Sequence, residues 1–168
     1  MTHALRKSPE SSRVTLHQLM LPEHGNALGN VHGGLIMKMV DEAGAIAAMR
    51  HAQRPCVTIA IDSMTFRQPV HLGELLICSA RVTYVGKSSV EVSVQVHAEN
   101  AITALVTHTN SAHLVYVALG EDGRPAEVPR LELTSEEHHR AWAEGELRQR
   151  ERLTRKQREA RPTPPTER

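Results

Sequence analysis

The sequence predicts an α+β fold in which one long central helix is wrapped by a curled antiparallel sheet of about five strands. Residues 33–48 are apolar nearly all the way round a helix, so this helix is expected to be buried. Downstream stretches alternate between apolar and polar residues, as half-buried strands do. A single sheet curled around one helix accounts for both patterns.

The composition is that of an ordinary globular protein. The chain has 168 residues, of which 40% are hydrophobic and 23% are charged, and this fits one domain. A net charge of +1 and only 2% aromatic residues argue against nucleic-acid binding. Cys56 and Cys78 lie in apolar runs, and the N-terminus shows no apolar leader. We therefore expect reduced cysteines with a packing role, a cytoplasmic location and no membrane partner.

The first half of the chain contains a strand, a loop, the helix and a second strand. Apolar residues within 13–21 predict the first strand, and glycine and asparagine punctuate a loop over 22–31. The helix is expected to end near His51 to Pro55. After it the apolar period changes to two, which predicts a long strand over 56–66.

Three further strands follow. Residues 75–85 alternate loosely, Gly86-Lys87 forms a hairpin turn, and 90–96 show the clearest alternation of the chain. A last strand is predicted over 103–119. Such an open sheet leaves an exposed edge, which invites pairing with a second copy.

The composition changes after the last strand. We divide the chain into a folded domain over 11–130 and a charged C-terminal segment over 131–168. A helix capped by Thr134 or Ser135 is expected there, followed by a disordered, proline-rich end over 161–168. A solvated helix is the simpler interpretation, although its arginine excess could contact an anionic ligand.

Asp41 lies two turns into the predicted buried helix and needs a partner, because an unpaired buried charge is costly. A backbone group or an arginine could supply that partner. Gly33-Gly34 opens the same helix, and free N–H groups with the positive helix end could form an oxyanion site there. A tight loop-to-helix turn explains the glycines equally well. Glu42 follows Lys38 by one turn, which predicts an ion pair.

These residues belong to a longer pattern. Its stretches are Asn26–Gly34, Met37, Asp41–Ala45, Asp62–Phe66 with Pro69 and Gly73, Gly86–Val92, and Thr109-Asn110 with Ala112. The pattern resembles the hotdog-fold acyl-CoA thioesterases, above all the bacterial single-domain acyl-CoA hydrolases and the domains of their tandem animal relatives. The resemblance covers roughly residues 13–130, and its specific part is the segment from the asparagine loop to the helix aspartate.

The resemblance implies an enzyme that hydrolyses acyl-CoA to a carboxylic acid and CoA without a metal or other cofactor. It implies active sites at the interface of a homodimer, which is further assembled into a hexamer (a trimer of dimers) or a tetramer. Asp41 and Gly34 share a helix face but lie about 10 Å apart along the axis, too far to act on one carbonyl. In the implied arrangement, Asp41 of one subunit meets Gly34 of the other and acts as general base or nucleophile.

Other residues receive roles from the same resemblance. Asn26 is expected to pair with the helix aspartate, although an asparagine next to glycine is also a common turn residue. His32 and Gly33 are expected to line the substrate pocket, with Asn30 a weaker candidate. The hairpin at Lys87 and Ser88 is expected near the coenzyme A arm, and Arg67 is a second candidate for its phosphates. An ordinary exposed turn explains the hairpin as well.

Alternative functions remain open. A hotdog protein that binds acyl-CoA without hydrolysing it, as a sensor or regulator, is the main one, although the presence of both Asn26 and Asp41 argues against it. A hotdog dehydratase would need a histidine on the helix as part of an acid–base pair, and no histidine lies between Gly33 and Met49. The sequence has no G-x-S-x-G elbow, no HExxH and no complete P-loop, so serine hydrolase, metal and nucleotide chemistry are not indicated.

Overall fold

The computed structural model describes residues 6–62 and 64–159, which form five main strands and two long helices. A five-stranded antiparallel sheet curls around helix α1 (Gly33–Ala52). Its strands, in spatial order, are β2 (Val14–Leu19), β4 (Leu75–Val85), β5 (Ser89–Asn100), β6 (Leu105–Ala118) and β3 (Cys56–Ile61). A separate parallel pair consists of β1 (Arg6–Lys7) and β7 (Arg130–Leu131), and short 3₁₀ turns lie at Pro9–Ser12 and Pro22–His24. No described helix combines the length and apolarity needed to cross a membrane. The second long helix, α2, spans Glu136–Glu159.

The core lies between α1 and the concave face of the sheet. Val40 and Ala43 of the helix pack with Val92, Val94 and other inward residues of the central strands, all of them nearly inaccessible. Cys78 belongs to this cluster, and burial raises the pKa of its thiol to about 12. The predicted long helix in a curled sheet of five strands is confirmed.

The helix is not buried on all sides, contrary to the sequence-based expectation. Positions at three- and four-residue spacing form one accessible stripe along α1, including Met37 at 43% and Met49 at 39% exposure. Its polar members include Lys38 and Glu42, whose predicted ion pair is present at 3.5 Å. The sheet covers only one side of the helix, so apolarity around this helix does not correspond to complete burial within one chain.

Strand β3 is shorter than predicted and forms one edge of the sheet. It ends at Ile61, where the Asp62 N–H donates to His113 O at 2.9 Å and the chain turns away. Val57, Ile59 and Ile61 are 43–58% exposed. The predicted strand over 103–119 also begins later, at residue 105, because residues 101–104 form the turn before it.

Helix α2 forms where a helix was predicted, and Ser135 Oγ accepts from the His138 N–H at its start. The helix is not simply solvated, however. Trp142 packs against Tyr84 with the ring centroids 5.4 Å apart, and Arg148 and Arg152 both bind Glu91 on the outer face of the sheet. The division of the chain near residue 130 stays a prediction, and the end over 161–168 lies outside the described residues.

Candidate active site

Asp41 is half-buried on α1 and two hydroxyl groups bind its carboxylate. Thr58 Oγ1 donates to Oδ1 at 2.8 Å, and the Tyr116 hydroxyl donates to the same oxygen at 3.2 Å. The Tyr116 hydroxyl also lies 3.0 Å from the backbone oxygen of Asp41. These two hydrogen bonds offset the cost of placing a charge on this helix. The sequence had suggested an arginine or a backbone group as the partner, and neither hydroxyl is of that kind.

Tyr116 is fully buried under α1, and its hydroxyl occupies the space beside Gly44. A Cβ atom on Gly44 would clash with this hydroxyl, so the glycine admits the tyrosine. Small residues one turn after Asp41, such as Gly44, could be read from the sequence as leaving room for substrate, but the tyrosine hydroxyl fills the space at Gly44. Burial raises the pKa of Tyr116, and the neighbouring Asp41 charge and hydrogen bond raise it further, so the hydroxyl remains a donor at neutral pH.

A pocket of about 300 Å³ opens at the start of α1. Its lining includes Asn26, Gly33, Phe66 and Arg67, so three of the predicted site residues come together there. The Phe66 ring would lie 3.6 Å from a Cβ on Gly33, so it forms an apolar wall of the pocket beside the helix start. The segment that supplies Phe66 and Arg67 is placed by the Arg67 N–H, which donates to Thr109 O at 3.0 Å.

Asn26 shapes the loop before the helix. Its Oδ1 accepts the N–H groups of Leu28 at 2.9 Å and Asn30 at 3.2 Å, which is the turn role weighed for this residue. Because the oxygen is used in this way, the NH₂ group is the part of the side chain left to face a ligand. Within the described chain, the hydrogen bonds of Asn26 do not include Asp41.

His32 caps the helix and changes the expected oxyanion geometry. Its Nδ1 accepts the Gly34 N–H at 2.9 Å, so this N–H is not free as expected. The Gly33 N–H has no hydrogen-bond partner in the part of the chain that the structure describes. Gly33 is therefore the open donor at the helix start, and it lines the pocket.

The other predicted contacts lie apart in a single chain. Ser88 O accepts from the Ala118 N–H and Pro55 O from the Leu119 N–H, which places the hairpin beyond the end of α1. Lys87 forms an exposed ion pair with Glu127 at 3.5 Å there. A helix of 20 residues is about 30 Å long, so Lys87 and Ser88 lie far from the pocket at Gly33.

Thr58 and Tyr116 were not identified from the sequence. Both lie on strands whose alternation predicts only which face they occupy, and their partner Asp41 is 17 and 75 residues away. Thr58 gave no signal, because the apolar Val57, Ile59 and Ile61 alternate with it and predict that it faces away from the core.

A sheet curled around a helix, with a hydroxyl-bound aspartate on the exposed stripe of that helix, defines a hotdog-fold domain with a carboxylate site. Residues 28–105 match the thioesterase superfamily. An uncharacterized acyl-CoA thioester hydrolase of Zymomonas mobilis is 36% identical over 145 residues, covering 80% of this chain and 94% of that protein. The chain belongs to the thioesterase superfamily.

Other similar proteins and solved structures are also named as acyl-CoA thioester hydrolases or thioesterases. The cytosolic acyl coenzyme A thioester hydrolase of mouse is 43% identical over 112 residues, 63% of this chain but only 29% of that protein. The crystal structure of an apo-hexameric acyl-CoA thioesterase superposes with a TM-score of 0.86 at 36% identity, covering 90% of this chain and 97% of that one. The structure of the acyl-CoA hydrolase of Staphylococcus aureus in complex with butyryl-CoA and CoA superposes with a TM-score of 0.84 at 29% identity. The match covers 92% of this chain and 94% of that one.

Proposed function

We propose that this protein hydrolyses acyl-CoA to a carboxylic acid and CoA at a site shared between two protomers. Asp41 of one protomer and the pocket at the start of α1 of its partner would face the same thioester. The observation that carries the proposal is the hydroxyl-bound carboxylate of Asp41 on an exposed helix stripe, about 10 Å from the helix start of its own chain. The relatives named as acyl-CoA hydrolases support the substrate class.

The chemistry needs a stabilised oxyanion and an activated water or a nucleophile. The Gly33 N–H and the positive end of α1 can stabilise negative charge on the thioester oxygen. Asp41 either takes a proton from water as the water oxygen adds to the carbonyl carbon, or attacks that carbon itself. The C–S bond then breaks and CoA leaves as the thiolate. In the nucleophilic route, water then hydrolyses the mixed anhydride on Asp41, which releases the carboxylic acid and restores the carboxylate. We propose that no metal or cofactor takes part.

Alanine variants of the S. aureus hydrolase give independent support for the residues. Three of its structures carry single alanine substitutions at an asparagine, an aspartate and a threonine. The asparagine and aspartate there are separated by 15 positions and the aspartate and threonine by 17. Asn26, Asp41 and Thr58 have the same order and the same separations here.

The surface of one chain favours a homodimer. The exposed stripe of α1, with Met37 and Met49, adjoins the open β3 edge through the Thr58–Asp41 contact, and Ile59 is 58% exposed on that edge. Exposed apolar strand edges and helix faces are typical of interfaces. We propose that β3 pairs with the β3 of a partner and brings Asp41 to the partner's helix start.

We further propose that these dimers assemble into a hexamer, as a trimer of dimers, or into a tetramer. Hexameric acyl-CoA thioesterases among the similar structures support the hexamer. In such an assembly, Lys87 and Ser88 would reach coenzyme A bound at the pocket of another protomer, with Arg67 from the pocket itself. The cytosolic mammalian relative supports a cytoplasmic location.

A thiol-release assay with acyl-CoAs of increasing chain length tests the proposed activity. We expect release of CoA thiol at rates that depend on the acyl chain. Tight binding of acyl-CoA with no release would instead identify the non-catalytic sensor. The same assay with crotonyl-CoA distinguishes a thioesterase from a dehydratase. Hydrolysis releases CoA thiol, whereas a dehydratase running in reverse would add water to the double bond, which removes the enoyl absorbance without releasing thiol.

A further inference from the structure

We propose that Tyr116 is a positioning residue for Asp41, which holds Oδ1 so that Oδ2 is the oxygen that acts on the thioester or on water. Thr58 and Tyr116 both donate to Oδ1, at 2.8 and 3.2 Å. Within the described chain, no hydrogen bond to Oδ2 accompanies them. The inference rests on the proposed function, because it concerns the same carboxylate.

The position of the Tyr116 hydroxyl is fixed by burial of its ring and by close packing against helix α1. The ring is fully buried, and its hydroxyl fits into the gap that Gly44 leaves on the helix. It lies 3.0 Å from the backbone oxygen of Asp41 and 3.2 Å from its Oδ1. One hydroxyl thus contacts both the helix backbone and the carboxylate of the same residue, and it restricts the side-chain torsions of Asp41.

This contact exceeds what burial of a tyrosine requires. The backbone oxygen of Asp41 alone would satisfy the hydroxyl, since a buried donor needs one acceptor. The additional contact with Oδ1 matters for catalysis because a reacting group must be held near its productive geometry. Tyr116 therefore acts through Asp41 and does not itself contact the substrate.

The variant Tyr116→Phe removes only this hydroxyl. We expect kcat to fall by about tenfold to a hundredfold, the scale of one hydrogen bond to a charged group, while KM changes by less than about threefold. The substrate is the acyl-CoA that the wild type hydrolyses fastest. Tyr84→Phe, at the only other tyrosine of the chain, is the control and should keep wild-type kcat. Thermal unfolding of both variants reports any loss of fold.

A double-mutant cycle distinguishes positioning from a general structural effect. In the Asp41→Asn background, Tyr116→Phe should cause no further loss, because the group that it positions is already inactive. Equal losses in both backgrounds, or wild-type kcat for Tyr116→Phe, would overturn the inference. If Asp41→Asn lowers kcat and Tyr116→Phe does not, only this inference fails. If Asp41→Asn retains wild-type kcat, the proposed site and this inference fail together.

Discussion

Replacing Asp41 by asparagine is expected to lower kcat by about 100-fold or more, the scale of a lost acid–base group. The amide has nearly the shape of the carboxylate, and its oxygen can still accept from Thr58 and Tyr116. The fold should therefore persist, with little change in the midpoint of thermal unfolding. What is lost is the charge that activates water or attacks the thioester.

Asp122 provides a matched control, since it is an exposed aspartate outside α1. It lies in the turn after β6, where its Oδ1 accepts from the Arg124 N–H at 3.1 Å, and asparagine keeps that oxygen. Asp122→Asn should keep turnover within about twofold of wild type, because exposed ion pairs contribute little. Turnover by Asp41→Asn at the wild-type rate would contradict the assignment of Asp41.

Replacing Arg152 by methionine should lower the free energy of unfolding by about 2–4 kcal/mol, because it removes the guanidinium that the buried Glu91 and the neighbouring Asp62 share. Arg152 is 12% exposed and bridges Glu91, which is 1% exposed, and Asp62 at 2.7 Å each. Arg148 still binds Glu91 at 2.8 Å, which keeps the loss below that of a fully unpaired charge. Denaturant unfolding, monitored by circular dichroism, measures the difference.

Arg150→Met is the control for this prediction. Arg150 is 68% exposed and pairs with Glu146 one turn away, so its loss should cost at most about 0.5 kcal/mol. Equal destabilisation by the two variants would show that the outer-face contacts of α2 do not hold the helix on the sheet.

The loss in the free energy of unfolding caused by Arg152→Met should also depend on pH. Burial raises the pKa of Glu91, but the hydrogen bonds from Arg148 and Arg152 outweigh it, and the net pKa lies below the ordinary value of 4.5. A carboxyl group with a lowered pKa stabilises the fold above its unfolded pKa. This stabilisation is lost as the pH falls through the lower, folded pKa. The difference between wild type and Arg152→Met should thus be constant above pH 4.5 and shrink below it.

Much of the fold could be predicted because its patterns are local. The apolar run from Gly33 predicts helix α1, and the alternation of valines with polar residues predicts β5, both within a few residues of their observed bounds. The C-terminal half of the predicted strand over 56–66 was wrong, because the ladder with β6 ends at the bond from the Asp62 N–H to His113 O, and the Asp62 carboxylate binds Arg152 of α2. Contacts between distant segments leave no periodic pattern in the sequence.

The site was predicted unevenly for the same reason. Asp41 stood out as a charge on an apolar helix, and the structure gives it partners. The hydroxyls of Thr58 and Tyr116 could not be assigned to it, because only the packing of β3 and β6 under α1 brings them close. The free N–H expected at Gly34 is used by His32, a capping bond that the spacing of His32 and Gly34 permits but does not require.

A subunit-mixing experiment tests the shared site most directly. Asn26→Asp keeps the oxygen that accepts from Leu28 and Asn30 but removes the NH₂ group at the pocket, and Asp41→Asn inactivates the carboxylate. Each variant alone should be nearly inactive. Coexpressed in equal amounts, they should recover about one quarter of wild-type turnover, because half of the random dimers then contain one intact site of two. Turnover no greater than that of the separate variants would contradict a site built from two protomers.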